Sequence, residues 1–96
     1  MSEEKKICFF VAPIGDEGTA TRERSDDVRD YIVKPVVEAC GYGEPIRADQ
    51  IGRQGIISTQ IIEHLLVDDM VVADLTDSNA NVLYELAIRA GRLIVH

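Results

Sequence analysis

Tryptophan is absent from this 96-residue sequence, and aromatic residues make up only 5% of it. Core filling therefore falls to Ile, Val, Leu and Ala, and a hydrophobic fraction of 46% is ample for that. The length suits one domain, not two. Positive charge is scarce: 10 Lys and Arg stand against 17 Asp and Glu, a net charge of −7. That balance excludes general binding of nucleic-acid polymers, which takes a basic face, but not a small phosphorylated ligand held by a few local arginines. The two cysteines, Cys8 and Cys40, lack metal-ligand spacing and are expected to be reduced, buried thiols. His64 reads as a surface or core-edge residue and His96 is terminal, so no metal site is indicated. No apolar run approaches a membrane span, and Met1-Ser2-Glu3-Glu4-Lys5-Lys6 is not a signal peptide. A soluble, cytoplasmic protein without a membrane partner is expected.

Along the chain, residues 1–6 read as frayed. Ile7–Ile14 (ICFFVAPI) is an almost unbroken apolar run, hence a central parallel strand, with Pro13 at its end. Gly15–Arg24 is a long polar loop. Ser25 reads as the N-cap of a helix, with Asp26 and Asp27 in its first turn. Val28, Ile32, Val36 and Val37 keep an apolar stripe, and Pro35 predicts a kink or the first turn of a second segment. Gly41 and Gly43 end it. Glu44–Ala48 is a short edge strand, and Asp49–Gly55 is a second polar loop. Ile56–Val67 is helical, with Ile57, Ile61, Ile62, Leu65 and Leu66 on one face. Met70–Ala73 is a buried third strand, covered on both faces. A helix from Asn81 to Ala90, capped by Gly91, precedes a fourth strand, Arg92–His96. Three strand–helix units in succession give an α/β fold, three-layered and flavodoxin-like, with a parallel sheet of about four strands in the order 2-1-3-4. An apolar strand at the end of the chain further predicts that the single domain, 1–96, is truncated there, or that a partner covers the open edge.

The densest chemistry lies between Asp69 and Leu86. Asp74 falls where the third strand stops. Asn79 and Asn81 supply turn and N-cap chemistry, and Glu85 follows one turn into the helix. In open α/β sheets, ligands bind outside the carboxyl ends of the strands. Glu85 there suits a carboxylate nucleophile or stabiliser for an oxocarbenium-like sugar, and otherwise a helix-start Glu favoured by the dipole. Asp74 suits a ribose hydroxyl or a base, or simply caps the following turn. Asp69, at the far end of the strand, reads as a surface acid. Arg22 and Arg24 in the first loop, and Arg47 and Arg53 flanking the second, suit a phosphate or plain surface charge. Gly52-Arg53-Gln54-Gly55 has the makings of an anion cradle without the pattern of a P-loop or dinucleotide fingerprint.

Phe10-Val11-Ala12-Pro13-Ile14-Gly15, Arg47-Ala48-Asp49, and above all Ala73-Asp74-Leu75-Thr76 followed by Asn79-Ala80-Asn81-Val82-Leu83-Tyr84-Glu85-Leu86 resemble the nucleoside 2-deoxyribosyltransferase-like superfamily. That superfamily looks related to nucleotide N-glycosidases and, distantly, to TIR domains. The resemblance implies a flavodoxin-like fold, assembly as homo-oligomers, no cofactor, and Glu85 as the residue that attacks the anomeric carbon. It also implies a nucleotide pocket using Gly15 and the segment through Arg24. The superfamily's second catalytic acid corresponds to a position near Ile61, which is apolar, and the nearest acid is Glu63. A nicotinamide leaving group, already cationic in NAD, needs no protonation, whereas a pyrimidine or purine usually does.

The sequence therefore predicts a nucleoside, nucleotide or NAD-like small-molecule partner. Glu85 and Asp74 are the candidate catalytic residues. Gly15, Arg22, Arg24, Asp49, Arg53, Asn79 and Asn81 are the candidate binding residues. The alternatives are a non-catalytic nucleotide-sensing or oligomerisation module of a larger protein, and a pure interaction domain.

Overall fold

The computed structural model of the chain describes residues 5–52 and 58–94. Strand β1 (Cys8–Val11) is flanked in parallel by β2 (Ile46–Arg47) and β3 (Met70–Ala73), in the order β2-β1-β3. Phe9 lies opposite Ile46 on one side and Val71 on the other. Every residue of β1 is buried, because the strand is both central and covered on its two faces. Side chains alternate along a strand, and the core follows that alternation. Cys8, Phe10 and Ala12 pack with Val33 and Val37 on one face. Phe9 and Val11 pack with Ile61, Leu65 and Val82 on the other. The result is an α/β fold with helices on both sides of a small parallel sheet.

The first helical region starts earlier than Ser25. Helix α1 (Ala20–Asp27) is capped by Thr19, whose hydroxyl accepts from the Arg22 N–H at 3.2 Å. Ser25 is fully buried within α1, and no N-cap is formed there. The physical reason is a distant partner: Arg47 Nη1 donates to Ser25 Oγ at 2.9 Å. A π-helical segment (Val28–Val33) follows and passes into α2 (Lys34–Ala39), with Pro35 in its first turn, as the sequence suggested. Proline has no N–H and crowds the carbonyl four residues back, so a widened turn before it relieves the clash. The extra residue shifts the apolar stripe. Val33 and Val37 become the buried positions, while Ile32 and Val36 turn outward at 60% and 59% exposure. Gly41, at φ +91°, ends α2: its N–H reaches the Glu38 carbonyl and the Tyr42 N–H reaches the Val37 carbonyl, a Schellman closure.

Other expectations shift for similar local reasons. Lys6 is not frayed, since it bridges to Tyr42 and its carbonyl accepts from Gly43 at 2.9 Å. Cys8 is a buried free thiol, but Cys40, at the end of α2, is free and exposed. Helix α3 (Thr59–Val67) begins at the Ser58 cap; Ile56 and Ile57 lie outside the described residues. Ile61 and Leu65 are its buried face, with Ile62 and Leu66 at the rim. Strand β3 is half-buried instead of sealed, because no further strand lies beside it among the described residues. Helix α4 (Ala80–Ile94) continues through Gly91, and residues 92–94, expected to begin a fourth strand, are helical. Gly91 does not take the left-handed conformation that would have closed the helix. Residues 95–96 lie outside the described residues. Arg89 of α4 ties the helices together, its Nη1 donating to the carbonyls of Leu65 (3.1 Å) and Asp68 (2.7 Å) at the end of α3.

Candidate functional site

Asp74 sits where the sequence placed it, immediately after β3, and its N–H extends the ladder to the Val11 carbonyl at 2.8 Å. Its Oδ1 accepts from the Thr76 N–H at 3.0 Å and the Thr76 hydroxyl at 2.7 Å. Arg24 of α1 closes over it, with Nη1 2.9 Å from Oδ2 and Nη2 donating to both Oδ1 and the Thr76 hydroxyl. Burial works to raise the Asp74 pKa, but the hydrogen bonds from Arg24 and Thr76 outweigh it and hold the carboxyl below the usual range. The turn that follows places Asp77 and Ser78 at φ 58° and 47°, two consecutive non-glycine residues in the left-handed region. Such strain persists where the surroundings enforce it.

A second cluster joins α1 to the end of β2. Arg47, only 2% exposed, donates to both carboxylate oxygens of Asp49 (2.6 and 3.0 Å), to Asp26 (2.7 Å) and to Ser25. Burial opposes the charge on each partner, yet these hydrogen bonds prevail: the Arg47 pKa is raised and the Asp49 pKa is lowered. Arg22 stands beside the cluster and is held loosely, 3.8 Å from Asp49 and 3.9 Å from Glu17. Its Nε is buried with no hydrogen-bond partner among the described residues. Gly15, at φ +69°, supports this corner. A Cβ there would lie 2.8 Å from the Thr19 hydroxyl and 2.9 Å from Thr21 Cβ, so the loop after β1 can turn this tightly only around glycine.

Glu85 occupies a core-facing position of α4, one turn beyond the buried Val82, and is itself only 8% exposed. No hydrogen bond or ion pair reaches its carboxylate among the described residues. Burial alone raises its pKa from 4.5 to about 6. Asn79, not Asn81, caps α4: its Oδ1 accepts from the N–H groups of Asn81 (3.0 Å) and Val82 (3.2 Å), while the Asn81 residue is exposed. The earlier start follows from the core, since Val82 must face the sheet as the third residue of the helix.

The structure thus brings Asp74 together with Arg24, and Arg22 together with Asp49. It records no direct bond from Glu85 to any of these. Arg53 lies outside the described residues. Sequence reasoning missed the buried role of Ser25 and a dyad on α3, in which His64 Nδ1 lies 2.6 Å from Asp68 Oδ2 and the imidazole stacks on Phe9 at 5.2 Å. The i,i+4 spacing of His64 and Asp68 at a helix end was the available signal. Among the described residues no cluster of three or more His, Cys, Asp or Glu is arranged to hold a metal ion, and no helix is long and apolar enough to cross a membrane. Comparison of the chain with protein-family models, with curated proteins and with solved structures gives no match.

Proposed function

We propose that this chain is a nucleoside- or nucleotide-directed N-glycosidase or glycosyltransferase-like domain, in which Glu85 is the nucleophile. One observation carries the reading: a carboxylate in a core-facing helical position, desolvated and without a partner among the described residues. Such a group contributes nothing to stability that an apolar residue would not exceed, and desolvation sharpens a carboxylate's attraction for a developing cation. The strand order 2-1-3 is the one with which a flavodoxin-like sheet begins. Asp74, Asn79 and the Arg22–Asp49 corner follow strand ends, where ligands of such sheets bind.

In this mechanism a Glu85 oxygen attacks C1′ as the C1′–N bond breaks and its electron pair leaves with the base. Water or a second acceptor then displaces the carboxylate and restores it. The resemblance places a general acid near Ile61, which is 2% exposed and part of the core. A base that departs neutral without protonation suits that arrangement, and the nicotinamide of an NAD-like substrate is such a base. Incubation with NAD and a mixture of nucleosides, followed by chromatographic analysis, is expected to release free base or exchanged nucleoside. Glu85→Gln should abolish it, and release that persists in Glu85→Gln refutes the reading.

A second reading is favoured by the state of Asp74. Arg24 and Thr76 already occupy it, as a structural latch would be occupied and an open sugar-binding acid would not. On that reading the domain binds a nucleotide, or assembles with other copies, without bond cleavage. Calorimetric binding without release of base distinguishes it.

A further inference from the structure

The outer face of the first helical region carries an open groove of about 440 Å³, whose lining includes Glu23, Asp27, Val28, Tyr31 and Ile32. Two independent features of this face ask for the same partner. The first is apolar: Tyr31 is 77% exposed and Ile32 60%, with Val36 at 59% on the next turn. The π-helical segment is what turns Ile32 and Val36 out of the stripe that runs through Val33 and Val37. Widened turns of this kind recur at functional positions.

The second feature is charge. The cations nearby are already engaged: Arg24 also lines the groove, but its guanidinium is turned to Asp74 and Thr76. Arg29 pairs with Asp26 and Asp30, and Lys34 pairs with Glu38. Glu23 and Asp27, one turn apart on the same side, have no ion pair among the described residues. Like charges at this spacing repel, and no Lys or Arg among the described residues forms an ion pair with either of them. A phenol ring beside two unpaired carboxylates presents both a π face and negative potential to a cation.

We propose that this groove docks a basic amphipathic segment of a partner protein, with aliphatic side chains laid on Val28, Tyr31 and Ile32 and Lys or Arg side chains on Glu23, Asp27 and the Tyr31 ring. A second copy of this chain fits less well, because it would bring the same unpaired acids against each other in a molecule whose net charge is already −7.

The test uses fluorescence anisotropy with a labelled, ~14-residue amphipathic helix of leucine and lysine, beside its leucine–glutamate counterpart. The lysine peptide is expected to bind, with affinity falling as salt rises, and the glutamate peptide is not. Ile32→Ser and Tyr31→Ala should each weaken binding about fivefold or more. Glu23→Gln with Asp27→Asn should weaken it similarly, whereas the charge-matched pair Glu44→Gln with Glu63→Gln, both exposed and away from the groove, should change it less than about twofold. All the substituted residues are at the surface, and circular dichroism verifies that each variant folds. Equal losses from the two charge pairs would mean attraction to net charge alone and overturn the proposal. So would binding unchanged in Ile32→Ser, or a dimer by sedimentation that Ile32→Ser dissociates, which would make a second copy the occupant.

Discussion

Replacing Glu85 by Gln is expected to make the protein more stable at neutral pH and no more stable in acid. The native carboxyl titrates near 6 instead of 4.5, for no cause but burial. A raised native pKa means that the folded state binds this proton more tightly than the unfolded chain does. Stability is then complete below the unfolded value of 4.5 and is lost as pH rises through about 6. At about 1.4 kcal/mol per pH unit, the ionised side chain costs about 2 kcal/mol by pH 7.5. Gln has nearly the shape of the protonated acid and cannot ionise, so Glu85→Gln should match the parent near pH 4.5 and exceed it by about 2 kcal/mol near pH 7.5. For a domain of this size that is roughly 10 °C in Tm.

Urea unfolding followed by far-UV circular dichroism measures this, since the chain has no tryptophan to report by fluorescence. The depressed acids Asp49 and Asp74 give slopes of the opposite sign at lower pH, present above their ordinary range and lost as pH falls through their native values. Both proteins share those slopes, so the difference between the two curves isolates Glu85. Parallel curves across the range, or a variant less stable than the parent at pH 7.5, would mean that the carboxylate has a partner and is structural. The nucleophile reading would fall with them.

Three further outcomes follow from the same geometry. Asn79→Ala should lose about 1 kcal/mol in urea unfolding and Asn81→Ala close to none, because only the first side chain caps α4; equal losses would place the helix start differently. Arg47→Ala should cost about 3 kcal/mol, since it leaves Asp49 and Asp26 without their shared cation and Ser25 without its donor, and a loss below about 1 kcal/mol would show the cluster to be dispensable. Gly15→Ala should cost about 1 kcal/mol or more from the left-handed backbone and the contacts with Thr19 and Thr21, read as a lower midpoint at unchanged slope; no loss would mean the loop relaxes freely.

How much of this was legible beforehand depends on the range of the forces involved. Strands β1 and β3 could be read because each is a short unbroken apolar run bounded by polar residues, and Asp74 followed from where one of them stops. Pro35 and Gly41 act through their own backbones, so their effects were local and readable. Helix α1 was not, because its sequence (ATRERSDD) has no apolar stripe from which to recognise a period. Ser25 looked like a cap when only its neighbours were considered, and its true partner lies 22 residues away in sequence. The outward turn of Ile32 and Val36 depends on one inserted residue, which a periodicity of 3.6 cannot register. Glu85 was visible as a candidate, but its burial was not: that required knowing that Val82 fixes the face of α4 turned to the core.

The two acids chosen from the sequence end in opposite environments, and this divides their possible roles. Arg24 and Thr76 hold the Asp74 carboxyl below its usual range, so it is an anion at any physiological pH, with fixed orientation. Glu85 has only burial acting on it and titrates near 6, close enough to neutrality that a neighbouring charge decides its state. In glycoside chemistry, carboxylates driven apart in this way usually divide the work: the hydrogen-bonded one stays charged as nucleophile or stabiliser, and the desolvated one is the general acid. Glu85 as nucleophile departs from that division and has to lose its proton before it attacks. For a substrate that arrives as a cation, such as a pyridinium nucleotide, binding would itself draw the Glu85 proton off. The acidic limb of kcat/KM should then lie near 6, the free-enzyme value, and the limb of kcat should fall below it. A neutral nucleoside would produce no such separation between the two limbs, so the pH profile reports the charge of the leaving group before any product is identified.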